Sequence, residues 1–153
     1  MYMKLAKDKY IIVELIPTTL KKETGDIIQL SALKIENLQI TGRFDYRLHE
    51  DRILIKDFLD IISYDKEAFT YKYSTEEIIE CFKEFIKDYP LLIIDNEYTR
   101  NYLSDITNKK ESLYDYFDIE HKDSIIEELM SKYNIEPTNY IVDIIYESII
   151  RIV

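Results

Sequence analysis

Ile11-Ile12-Val13-Glu14-Leu15-Ile16 is the stretch whose reading decides the fold. With Tyr10 before it, it forms a nearly unbroken β-branched, apolar run, which reads as a central strand covered on both faces. Such a strand needs other strands beside it and helices above and below. Glu14 is the one charged residue inside the run. An unpaired carboxylate there would be costly, so a hydrogen-bonding partner or an open cleft is expected at Glu14.

Outward from this strand, Thr18 to Asp26 is polar and contains Gly25, so it reads as a loop. Ile27 to Ile35 predicts a second strand, and Glu36-Asn37 a tight connection. Leu38, Ile40, Phe44, Tyr46 and Leu48 then alternate with polar residues, as a half-buried antiparallel strand does. Helices dominate afterwards. Ser74-Thr75-Glu76-Glu77 is a capping box, with Ile78, Ile79, Phe82, Phe85 and Ile86 on one apolar face. Pro90 closes that region, Leu91 to Ile94 predicts a short buried strand, and Tyr98, Tyr102, Leu103 and Ile106 space out a helix. A further helix runs through Ile125, Leu129 and Tyr133, and a last one, with Pro137 in its first turn, is apolar nearly all round. Three strands, a helical stretch, a strand and more helices predict an α/β fold. Its sheet would be mixed, with a three-stranded antiparallel start, a parallel strand beside it and flanking helices. No repeat or linker divides the chain, so residues 1–153 read as one domain.

Bulk properties narrow the function. With 46% hydrophobic residues a real core is available, and a chain of this size buries about 70% of its unfolded surface. Gly25 and Gly42 are the only glycines, too few for a glycine-rich phosphate loop. Thirty acidic against 20 basic residues give a net charge of −10. Proteins that track nucleic-acid backbones usually carry a basic stripe, because phosphate neutralisation supplies much of their affinity; none is visible here. The N-terminal residues lack a leader pattern, no run approaches a membrane span, and the single Cys81 fits a reducing cytoplasm. These features give the expectation of a cytoplasmic protein without a membrane partner. Cys81 lies in an apolar helical pattern and reads as a core thiol.

The order of elements and several local motifs resemble the proofreading-type (DnaQ-like, DEDDh) 3′–5′ exonuclease superfamily, whose fold is ribonuclease H-like. Ile11 to Leu20 has the outline of that family's Asp-x-Glu-Thr-Thr-Gly strand. Ile27-Ile-Gln-Leu-Ser-Ala-Leu33 looks like its Ile-Ile-Glu-Ile-Gly-Ala-Val segment, and Ile61-Ile-Ser-Tyr64 falls where Gly-Ile-Thr often stands. Leu92 to Leu103 resembles Val-Ala-His-Asn-x-x-Phe-Asp-x-x-Phe-Leu, one residue shorter, and Thr138 to Asp143 has the outline of His-x4-Asp. The similarity runs from about Tyr10 to the C-terminus.

The resemblance implies a ribonuclease H-like domain in which four carboxylates hold two divalent metals about 4 Å apart. It also implies a histidine general base, a device worth roughly 10²–10⁴ in rate. Carried onto this sequence, the first acid falls on Glu14 and the last on Asp143, which makes these the candidate metal ligands. The second falls on Ile16, and the third on Thr99, or on Arg100 with the gap placed differently. The base falls on Thr138. Ile16, Thr99 and Thr138 are therefore degenerate positions that supply neither a metal-binding anion nor a base. Mg²⁺ is held by one or two carboxylates when phosphates and water complete its shell, so one weakly bound Mg²⁺ or Mn²⁺ is the cofactor expectation. Asp95 and Glu97 are candidate substitutes for the lost acids.

Each residue also has a plainer reading. Glu14 reads equally as a hydrogen-bonded remnant. Asp143 shares a helical stripe with Glu147 and Arg151, as on a solvated face. Gln29 reads as a strand residue, Tyr98 and Tyr102 as core, and His49 and His121 as surface. The seven acids between Glu111 and Glu128 read as a solvated face. The leading functional expectation is a degenerate exonuclease-like domain, catalytically inactive or strongly impaired. It would act as a binding module for protein or a single-stranded nucleic-acid end, with the acidic surface favouring protein. One alternative is a metal-dependent 3′–5′ exonuclease with a reduced or rebuilt carboxylate site. Another is an acidic interaction protein that mimics nucleic acid.

Overall fold

A computed structural model of the chain describes residues 5–17, 27–47, 52–57, 64–68, 75–120, 124–137 and 141–153. Its centre is a mixed sheet of seven strands: β1 (Lys9–Pro17), β2 (Ile27–Glu36), β3 (Gln39–Arg47), β4 (Arg52–Asp57), β5 (Tyr64–Ala68), β6 (Leu91–Ile93) and β7 (Lys110–Ser112). Their spatial order is β5-β4-β3-β2-β1-β6-β7. β1 to β5 form an antiparallel meander, while β6 runs parallel to β1 and β7 parallel to β6. Four helices accompany the sheet: α1 (Thr75–Ile86), α2 (Glu97–Leu103), α3 (Ile125–Tyr133) and α4 (Ile141–Ile152).

The α/β class and the mixed sheet stand as the sequence implies, but the sheet is wider. The antiparallel part has five strands instead of three, and two parallel strands follow where one was expected. β5 (Tyr-Asp-Lys-Glu-Ala) and β7 (Lys-Glu-Ser) are the two edges, where backbone pairing to one neighbour suffices and no apolar pattern is needed. The predicted segments at Thr18–Asp26, Leu48, Ser74 and Ile61–Ser63 lie outside the described residues, as do His49, His121 and Thr138.

Alternation along β1 sends its side chains into two cores. Ile11, Val13 and Leu15 join Phe44, Tyr46, Phe82 and Phe85 under α1 and α2. Tyr10 and Ile12 join Leu33, Ile35, Leu129, Val142 and Ile149 under α3 and α4. Double coverage explains the unbroken apolar run of β1.

The connection between β2 and β3 departs from expectation in two ways. Asn37 and Leu38 both take positive φ, 51° and 64°, as a two-residue hairpin of matching twist demands. Leu38 thus belongs to the turn, where its carbonyl accepts a 2.6 Å hydrogen bond from the Tyr146 hydroxyl. Next to it, the register pairs Ile35 with Ile40 and Lys34 with Gly42, which leaves Thr41 bulged. The bulge moves Ile40 off the face that carries Phe44 and Tyr46, and Ile40 is 37% exposed.

Candidate functional site

β1 and β6 pair in parallel up to Val13 opposite Ile93. Beyond that pair the two chains diverge, β1 continuing through Glu14 to Ile16 and β6 giving way to Ile94, Asp95 and Asn96. Such a divergence opens a crevice at the carboxyl ends of the strands, the usual place for a ligand in an open α/β sheet. A cleft of about 580 Å³ lies there. Glu14, Ile16, Asp95, Asn96, Tyr98 and Thr99 line it, together with Tyr114, Ile125 and Ile141.

α2 is set in place by its own cap. Asn96 has an extended backbone, and its Oδ1 accepts a 3.0 Å hydrogen bond from the Thr99 amide. This satisfies a donor at the start of the helix, the usual role of an asparagine cap. The same turn buries Thr99 to 2% exposure against the cleft wall.

Glu14 is 6% exposed. Its Oε1 accepts a 2.8 Å hydrogen bond from Gln29 Nε2, and that nitrogen also lies 3.2 Å from Ser31 Oγ. Ser31 in turn donates to Asp45 Oδ1 at 2.7 Å, and Arg47 Nε pairs with Asp45 Oδ2 at 3.2 Å. The register places Glu14 opposite Ser31 and Ser31 opposite Asp45, so one polar chain crosses three strands on one face of the sheet. Burial pushes the Glu14 carboxyl up to about 7, with Arg47 pulling it down and Asp45 adding to the rise. Burial thus disfavours the ionised form of Glu14 in the metal-free protein.

Asp143 sits apart from this cleft's lining. Both of its oxygens are held by Arg43 of β3, at 2.7 and 3.1 Å, in a bidentate pair with each side chain about one quarter exposed. A fork of this geometry is the strongest form of the carboxylate–guanidinium contact. The expected solvated stripe on α4 is thus only partly solvated. Glu147 is exposed, Asp143 is bound to the sheet, and Arg151 donates to the Tyr133 carbonyl.

The structure brings Glu14, Ile16 and Thr99 to one cleft. Among the described residues it forms no group of three or more His, Cys, Asp or Glu side chains able to hold a metal. Of the candidate substitutes, Asp95 lines the cleft and Glu97 is exposed outside its lining. Asp95 Oδ1 is buried and makes no hydrogen bond; Arg100 Nε lies 3.5 Å away, close enough for an ion pair but not a formed hydrogen bond.

Gln29, Ser31, Asp45 and the Arg43–Asp143 pair are polar partners that the one-dimensional pattern leaves out. The alternation of Arg43, Asp45 and Arg47 in β3 was the available signal, since three charges on one strand face ask for partners. Tyr102 is core as expected, and Tyr98 is half-buried at the cleft. Cys81 packs against the first core. No described helix is long and apolar enough to cross a membrane. No family model matches the sequence, and no curated protein matches it.

Proposed function

We propose that this protein is a degenerate 3′–5′ exonuclease-like domain of ribonuclease H-like type, its hydrolysis lost or nearly so, that works as a binding module. The fold part is supported by the strand arrangement: β3-β2-β1 antiparallel, β6 and β7 parallel beyond β1, and α4 packed over β1 and β2. Glu14 then lies on the central strand at the cleft, where a first metal-binding acid is expected.

One observation carries the functional part. The two acids that the sequence retains are engaged separately, Asp143 by the Arg43 fork and Glu14 by Gln29. Ile16 and Thr99 line the cleft with a methyl surface and a neutral hydroxyl. A two-metal mechanism needs both ions clamped between anionic oxygens, and among the described residues no group of three or more His, Cys, Asp or Glu side chains converges to supply them. Of protein and nucleic-acid partners, the protein reading is favoured by the net charge of −10.

The test is incubation of the purified protein with end-labelled single-stranded DNA and RNA in Mg²⁺ or Mn²⁺, beside Glu14→Ala and Asp143→Ala. Intact substrate in every lane is the expected result. Metal-dependent shortening that both variants lose would overturn the reading and establish a working exonuclease with a reduced site.

A further inference from the structure

We propose that the cleft at the end of β1 and β6 receives a phenylalanine side chain of a protein partner, held by apolar contact with Ile16, Ile141, Tyr98 and Tyr114. The inference rests on the binding-module reading and names the partner chemistry of that same site.

The acids of the cleft already have partners. Gln29 donates to Glu14, and Asp95 is paired with Arg100 at 3.5 Å. Asn96 Oδ1 accepts from the Thr99 amide, and Thr99 itself is 2% exposed. A ligand that relied on these groups would displace contacts that the chain makes for itself, and exchanging one hydrogen bond for another gains little. No described basic residue lines the cleft, so the phosphate of a nucleotide would meet only carboxyl groups there.

What the walls still offer is apolar surface. Ile16, Ile94, Ile125 and Ile141 line the cleft, and Tyr98 and Tyr114 add aromatic rings. Ile16 is 36% exposed. Covering it removes apolar surface from water, the dominant driving force of most protein association. A phenyl ring gains beyond its area from offset or edge-to-face contact with tyrosine. A buried tyrosine hydroxyl or tryptophan N–H would ask for an acceptor, and Glu14 and Asp95 are already in use; phenylalanine asks for none.

Size and charge fit the same occupant. The cleft volume of about 580 Å³ lies within the usual range of ligand pockets, which leaves room for one aromatic side chain and its flanking backbone. The net charge of −10 sets the flanks: a neutral or basic segment approaches this chain without repulsion, whereas a polyanion does not.

The test is titration of the full chain with an acetylated Gly-Phe-Gly amide, read by backbone-amide and methyl NMR. Matched alanine and lysine peptides, a short oligothymidylate, toluene and Mg²⁺ alone serve as the other probes. The phenylalanine peptide is expected to bind with a roughly millimolar Kd, since one side chain supplies nearly all of the contact. It should shift the signals of Ile16, Tyr98 and Ile141, and it should not weaken between about 0.1 and 1 M salt. Ile16→Ser and Tyr98→Ala, each checked for an unchanged melt, should weaken it at least about tenfold, as removing a methylene or more from an apolar contact does. The alanine and lysine peptides should leave the spectrum unchanged. Equal binding of either of them, indifference to both variants, loss of binding at high salt, no binding at about 10 mM peptide, or tighter occupation by toluene, oligothymidylate or Mg²⁺ would each overturn the proposal. The nuclease assay stands apart: intact substrate with no phenylalanine binding defeats this proposal alone, and shortened substrate defeats the binding-module reading.

Discussion

Under α1 the sheet buries Phe44 against Phe82 and Phe85, with ring centroids 5.4 and 5.8 Å apart. On the opposite face, toward the cleft, it buries Glu14, Ser31 and Asp45 in one hydrogen-bonded chain. The first face takes its stability from apolar area and aromatic packing. Even a buried cation conforms there: Lys34, with 0% exposure, holds its ammonium 4.4 Å from the Phe85 ring centroid and 5.2 Å from that of Tyr89. The second face gives up apolar area to keep carboxyl groups beside an opening. Polar groups that only maintained the fold would have no reason to lead to a cleft, and this chain begins at Glu14 in its wall.

The comparison breaks most readily at Phe82. If the α1 face holds the fold together, Phe82→Ala should cost about 3–5 kcal/mol, the range for truncating a buried aromatic. The denaturant midpoint would fall with an unchanged slope. A loss below about 1 kcal/mol would mean that the aromatic cluster is dispensable and that the contrast between the faces is overstated.

Glu14 provides the next largest effect and works in the opposite sense. Its ordinary value is 4.5 and burial raises it to about 7 in the folded chain. The native state therefore holds this proton more tightly than the unfolded chain does. Below about pH 4.5 both states are protonated and the group contributes nothing. Between about 4.5 and 7 the unfolded chain releases its proton first, so stability falls as pH rises; above 7 the full penalty persists. Glu14→Gln should remove this slope, matching the wild type near pH 4 and exceeding it at pH 8 by at most about 3 kcal/mol. Parallel curves for the two proteins from pH 4 to 8 would show that Glu14 titrates normally and that its oxygen is better satisfied than the geometry indicates.

These two regions also differ in how far they could be read from sequence. The strand at Ile11–Ile16 was legible because burial on both faces removes polar residues, and α1 because Ile78, Phe82 and Phe85 repeat at helical spacing. β4, with Ile53 and Ile55 buried, carried a fair signal in a six-residue run. β5 and β7 carried none, since edge strands are held by backbone pairing. The Thr41 bulge could not be read either: it changes which face a residue takes without changing which residues are apolar. At the site, Glu14 was marked by being charged where its neighbours are not. Its partner Gln29 was hidden, because their meeting depends on the β1–β2 register. Asp143 was found by resemblance, yet the residue that holds it, Arg43, lies 100 positions away in sequence. Only the folded chain brings those two together.

That long-range pair yields the smallest effect and the sharpest distinction. Both side chains are about one quarter exposed, so water screens them. Exposed ion pairs contribute about 0–1 kcal/mol, and a bidentate fork belongs at the upper end. A double-mutant cycle with Arg43→Ala and Asp143→Ala should therefore give a coupling near 1 kcal/mol that shrinks in 1 M salt. The Arg43→Ala variant alone also frees both oxygens of Asp143. If Asp143 keeps latent metal affinity, that variant should bind Mg²⁺ or Mn²⁺ more tightly than the wild type in a calorimetric titration. If it gains no metal affinity, the pair has been built into the joint between α4 and the sheet, and releasing one carboxylate without neighbouring ligands does not remake a site.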